Sequence, residues 1–192
     1  AYVNGLERAR EHGHDISNIR SVASIFVSRV DTEIDNRIDE LVNNGADKEL
    51  LELKGKAGLA NCHLAHRIAS EIFDSERFTV LAAAGAHKQR PLWASTGTKN
   101  PEYSDTMYVD GLVTADTVNT MPEKTMVAFA EHGEVNGDTV FGQYEEADRI
   151  LDALSVAGIH YGDVMDKLER EGLEKFNTSW NELVAVSYTH LR

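Results

Sequence analysis

Apolar residues recur at helical spacing over most of this chain and gather into short strand-like runs at three places. The opening stretch AYVNGLERAREHG has helical spacing, with Gly13 where a C-terminal cap belongs. IRSVASIFVS, residues 19–28, is rich in Val, Ile and Phe with small serines between them, which predicts a strand. An Asp-Thr-Glu signal followed by Ile34, Ile38 and Leu41 predicts a helix starting near Asp31, and NNGAD, 43–47, reads as a turn. Leu50, Leu53, Ala57, Ala60, Leu64, Ile68 and Ile72 form a stripe that predicts one long helix over 47–74. ERFTVLAAAGAHKQR reads as a helix end and a loop. A second strand is expected over 91–96, broken at Gly97, then a short helix within 104–113 and a third strand over 116–121, stopped by Pro122. Helices are expected over 123–131, 143–157 and 161–186, the second of them capped by Gly158.

Strands separated by helices, with no hairpin turn between them, imply parallel βαβ units and an α/β fold. Three strands do not close a barrel or fill an open sheet, so the pattern is that of part of a larger α/β domain. The native unit is expected over 1–186. The chain lacks an initiator Met, and its start is read as a truncation. Ser187, Tyr188, Thr189 and His190 are poorer helix formers than the residues before them, and 187–192 is read as a doubtful, non-native tail.

Composition narrows the function. The 192 residues are 42% hydrophobic and 27% charged, ordinary for a globular protein, with a net charge of −13. Such acidity argues against nucleic acid or an anionic membrane as partner, while leaving room for a local basic pocket that holds a small anion. The single cysteine, Cys62, allows no internal disulfide and suits a reducing, cytoplasmic setting. No apolar run is long enough to span a membrane, and a homo-oligomer is left open.

Chemistry is sought at the carboxyl ends of the strands, where α/β folds place it. The first predicted strand ends with Ser24, Phe26, Ser28 and Arg29, the second with Ser95, Thr96, Thr98 and Lys99, the third with Asn119, Thr120 and Met121. Two cations and several hydroxyls at one rim suit a phosphate. Taken singly, Arg29 is better explained as an ion-pair partner of Asp31 or Glu33, and Lys99 as a solvated loop lysine; together they favour an anion site. Lys54 and Lys56 are expected inside the long helix, without a phosphate loop around them. His63 and His66 share a helix face expected to be solvated rather than metal-binding, and Cys62 is expected to pack as a small apolar residue.

With those residues in view, the chain resembles the transaldolase family, in particular its actinobacterial branch. The segments that carry the resemblance are SVASIFVSRVDTEID, GKAGLAN, RPLWASTGTKNPEYSDTMYVDGLV, DTVNTMPEKT and KFNTSWNEL, which span nearly the whole chain. The resemblance implies a TIM-type (β/α)8 barrel enzyme of the pentose phosphate pathway. Such an enzyme moves a dihydroxyacetone unit from a ketose phosphate to an aldose phosphate through a lysine Schiff base, without metal or organic cofactor. It further implies that Ser24, Arg29, Ser95 and Lys99 bind the substrate phosphate and that Phe26 and Thr96 line the pocket. The family's Schiff-base segment, apolar-Lys-Ile-Pro-Ala-Thr, is absent, so the chain is expected to be the C-terminal part of the barrel and inactive alone. Two other readings stay open: a related Schiff-base phosphosugar aldolase that does not transfer the fragment, and a non-catalytic helical scaffold that uses the 47–74 stripe.

Overall fold

A computed structural model describes residues 1–190. A helix, α1 (Tyr2–Glu11), leads into strand β1 (Ser21–Phe26) and helix α2 (Ser28–Asn43). A 3₁₀ segment (Lys48–Leu53) precedes α3 (Ala57–Phe73) and α4 (Glu76–Ala83). Strand β2 (Gln89–Ala94), the one-turn helix α5 (Met107–Asp110), strand β3 (Val118–Asn119) and helices α6 (Glu123–His132), α7 (Tyr144–Val156) and α8 (Tyr161–His190) complete the chain. Leu191 and Arg192, the end of the stretch read as a doubtful tail, lie outside the described residues.

The three strands form one parallel sheet in the order β1-β2-β3. With its flanking helices this is the expected α/β architecture. Register pairs Ser24 with Leu92 and Phe26 with Ala94, and then Leu92 with Val118. Exposure alternates along β1, with Val22, Ser24 and Phe26 open to solvent. β1 thus packs one face against the helices and leaves the other open.

Three apolar clusters hold the helices. Val3, Leu6, Phe73, Phe78 and Leu81 join α1 to α3 and α4. Val30, Ile34, Ile38, Leu154 and Val164 join α2 to α7 and α8. Val27, Cys62, Trp93, Tyr108 and Val140 fill the space behind the sheet. Cys62 is a packing residue there, and burial pushes its thiol well above the ordinary range. Further along α8, Leu173, Phe176, Trp180 and Leu183 are exposed.

Several boundaries depart from the sequence reading. α2 begins at Ser28, not near Asp31, which places Arg29 in the first helical turn. The reason is non-local: the amides of Val27 and Ser28 donate to the carbonyls of Ala94 and Ser95 at the end of β2, so the helix starts without a side-chain cap. The predicted helix over 47–74 is two pieces. Gly55 adopts φ +72 between them, and the Tyr103 ring lies 2.8 Å from where a Cβ would sit, so both backbone and space call for glycine. Lys54 and Lys56 therefore flank a turn, not a helix interior, and Lys54 is bound to Asp39 at 2.7 Å. The apolar stripe is not a single docking face either. Leu50, Leu53 and Ala57 pack into the α2 cluster, while Ile68 and Ile72 stay exposed on α3.

Candidate functional site

The carboxyl ends of β1 and β2 meet. Ser28 Oγ donates to Ser95 Oγ at 3.2 Å, and the Ser28 amide donates to the Ser95 carbonyl at 3.1 Å. Ser95 holds φ +60, a conformation that a residue with a Cβ adopts only when its surroundings impose it, and one found disproportionately at working sites. β2 ends one residue earlier because of this turn.

Arg29 stands next to Ser28 and is exposed. Its guanidinium carbon lies 4.8 Å from the centroid of the Phe26 ring, a cation–π contact that orients the fork without neutralising it. The two carboxylates that the sequence offered it are engaged elsewhere, and Glu169, which borders the same cleft, forms no ion pair with it. Asp31 faces the interior, where it accepts from Tyr108 and Gly58, and Glu33 pairs with Arg37 and Lys167. Among the described residues Arg29 forms no ion pair. Its five donors remain free for an anion, and the dipole of α2, whose first turn it occupies, adds in the same sense.

Ser24, Phe26 and Arg29 border one cleft of about 800 Å³. It opens beside the free edge of β1, between α3 and α8, and its walls are largely apolar, with Leu64, Ile68, Leu168 and Phe176 among them. Ser95 joins this rim through Ser28 rather than through the cleft wall. Thr96 is fully buried, its hydroxyl donating to the Thr120 carbonyl at 2.8 Å, which fastens β2's end to β3's. Lys99 is exposed in the loop after β2. The structure therefore brings Ser24, Phe26, Arg29 and, through Ser28, Ser95 to one rim, sets Lys99 in the following loop, and seals Thr96 beneath.

Behind the rim lies a polar network that sequence reasoning missed. Asp31 Oδ1 accepts the Gly58 amide at 2.6 Å and its Oδ2 accepts the Tyr108 hydroxyl at 2.6 Å. One turn on, Asp35 accepts the Gly55 amide at 3.0 Å and the Tyr103 hydroxyl at 2.7 Å. Burial pushes the Asp31 carboxyl up to about 6, against the pull of its two hydrogen bonds and with a further push from Asp35. Burial and the neighbouring carboxylates hold both tyrosine hydroxyls protonated, so that they donate at neutral pH. The legible signal was the glycine pair in GKAGLAN, which marks a close approach whose partner lies far off in sequence.

The histidines take separate partners. His63 Nε2 lies 3.3 Å from the Gly111 carbonyl and His66 Nδ1 lies 2.9 Å from the Tyr144 hydroxyl, so this face packs against the rest of the protein instead of being solvated. Among the described residues no helix is long and apolar enough to cross a membrane.

Comparison with known proteins bears on the whole chain. The family model described as "Transaldolase/Fructose-6-phosphate aldolase" matches residues 5–187. A transaldolase of Renibacterium salmoninarum is 56% identical over 184 residues, covering 96% of this chain and 48% of that protein. Transaldolases of Mycolicibacterium smegmatis and Mycobacterium tuberculosis are 56% and 53% identical, each covering 100% of this chain and 50% of the relative. The chain thus spans about half the length of the curated relatives it matches.

Proposed function

The chain belongs to the transaldolase/fructose-6-phosphate aldolase family, and from that premise we propose that it forms the phosphate-gripping part of a transaldolase barrel. The observation that carries the reading is the unneutralised Arg29 guanidinium, oriented by Phe26 beside the Ser28–Ser95 pair. A phosphorylated ketose would present its dianion to this rim. Arg29 would supply bidentate charge-assisted hydrogen bonds, the Ser24 and Ser95 hydroxyls neutral ones, and Lys99 a second positive charge from its loop. The Ser95 backbone turn would aim its hydroxyl at the phosphate. Gripping the sugar by its tail sets the distance from phosphate to carbonyl, and so fixes where a nucleophilic amine must stand.

That amine would be a lysine from the rest of the barrel. In this proposal a Schiff base forms with the ketose carbonyl as water leaves, the iminium takes up the electron pair as the carbon–carbon bond breaks and an aldose phosphate departs, and the resulting enamine adds to the carbonyl of a second aldose phosphate before water frees the lysine. Lys54 is poorly suited to the role, since its amine is tied up in an ion pair with Asp39 at 2.7 Å. The free edge of β1, with the apolar cleft beside it, is the surface on which a further βα unit of a barrel would pack, leaving the bare face toward the barrel interior. The 192-residue chain alone would then bind phosphate weakly and turn over nothing. The reading places the enzyme in the cytoplasm, among the sugar phosphates it would use.

Trapping with labelled fructose 6-phosphate and borohydride tests this. The full-length protein should be labelled on a lysine outside these residues, and the isolated chain should stay unlabelled. A stable adduct on the isolated chain would overturn the division of labour.

A second reading is favoured by the family description itself, which names an aldolase alongside the transferase. Turnover of fructose 6-phosphate that is independent of erythrose 4-phosphate as acceptor would select it.

A further inference from the structure

We propose that Asp31 and Asp35 are positioning residues for the anion site, tying the loop that carries Ser95 and Lys99 to the helical turn that carries Arg29. The inference rests on the phosphate-binding reading above.

Neither aspartate borders the cleft. Asp31 is 2% exposed and Asp35 7%. They lie one turn apart on α2, and Asp31 follows Arg29 by two residues. Asp35 receives the Gly55 amide from the turn before α3 and the Tyr103 hydroxyl from the loop after β2; Asp31 receives the Gly58 amide from the first turn of α3 and the Tyr108 hydroxyl from α5. Tyr103 follows Lys99 by four residues, and Tyr108 sits on the helix in which that loop ends. The loop is therefore anchored at its start by the Ser28–Ser95 contacts and at its far end by these two carboxylates. Both anchors belong to the same helix, whose first turn carries the guanidinium.

The arrangement has no slack. A Cβ at residue 58 would lie 2.8 Å from Asp31 Oδ2 and 2.9 Å from the Val27 carbonyl oxygen. α3 begins at Ala57 with no side-chain cap of its own, and Asp31 provides that cap from another helix. A buried carboxylate pair is a poor way to add stability, because apolar side chains of similar volume serve as well or better. What such a network does supply is direction. Each hydrogen bond has one geometry, and together they allow one position of the loop relative to α2.

The test uses the full-length enzyme and inorganic phosphate as a competitive inhibitor against fructose 6-phosphate. Tyr103→Phe keeps the ring against Gly55 and deletes the hydroxyl's bond to Asp35, together with its contact to Asn100 in the same loop. The inhibition constant of phosphate and the KM of the phosphorylated donor should rise together, by about tenfold, with kcat held within about twofold. Asp35→Asn, which keeps one acceptor oxygen, should move both constants the same way by less. A bond of merely structural value would lower the melting temperature and leave the inhibition constant unmoved. That result, with Arg29→Ala still weakening phosphate, overturns this inference alone. If Arg29→Ala leaves phosphate inhibition unchanged, the phosphate-site reading fails and takes the inference with it.

Discussion

Two regions of this chain use charge in opposite ways. At the rim of the sheet, Arg29 is exposed, rests on an aromatic ring and has no carboxylate partner among the described residues. A few residues along the same helix, Asp31 and Asp35 are buried, and each carboxylate accepts two hydrogen bonds. A charge whose hydrogen-bonding capacity is filled by the protein is serving the fold. A charge held in place but left unpaired is available to something outside it. α2 carries both kinds within its first two turns, and the buried pair explains why the exposed cation stays open: the aspartate best placed to neutralise it faces inward.

The contrast breaks most readily at Gly58. Alanine there would push against the Asp31 carboxylate and the Val27 carbonyl, both held by other contacts, so Gly58→Ala should destabilise the full-length protein by about 3 kcal/mol. Urea unfolding measures it, and a cost within the noise of a surface substitution would mean that the network yields.

A smaller effect separates the two regions by pH. The Asp31 carboxyl is pushed up to about 6 in the fold from an ordinary 3.8, so between those values the folded protein holds a proton that the unfolded chain has released. This group's contribution to stability is therefore greatest below pH 3.8 and declines as the pH rises towards 6. Asp31→Asn removes that decline. Relative to the unsubstituted protein, the variant should gain about 2 kcal/mol of stability on passing from pH 4 to pH 7. An unchanged difference at the two pH values would show that the carboxylate is not held as described.

Much of the fold was legible because local pattern and tertiary packing agree. The stripes of α1, α2 and α7 bury the side chains they advertise; the Val-Ile-Phe composition of β1 marked the strand, although Val22 and Phe26 stay exposed. Where the reading failed, a distant residue decided the outcome. The periodic stripe runs unbroken through residues 50–57, yet the helix breaks there, because Tyr103 occupies the space beside Gly55 and Asp35 takes its amide. The Asp-Thr-Glu signal looked like the start of its own helix, whereas Asp31 caps α3, and α2 starts earlier on amide bonds made to β2. β3 shrinks to two residues for a similar reason: the Thr120 amide and hydroxyl both turn to the Trp93 carbonyl, and Asp116 takes φ +56. At the site, residue type and strand-end position marked Ser24, Phe26, Arg29 and Ser95. Nothing local foretold that Thr96 would be sealed beneath them, nor that aspartates and tyrosines 68 and 77 residues apart would meet behind them.

The most direct measurement compares kcat/KM for fructose 6-phosphate with that for unphosphorylated fructose, in the full-length enzyme and in Arg29→Ala. If the guanidinium grips the phosphate, the substitution should lower kcat/KM for the phosphorylated sugar by about 30-fold, near 2 kcal/mol, and leave the unphosphorylated one within about twofold. Equal losses on both sugars, or no loss on either, would contradict the claim that this rim exists to hold a phosphate.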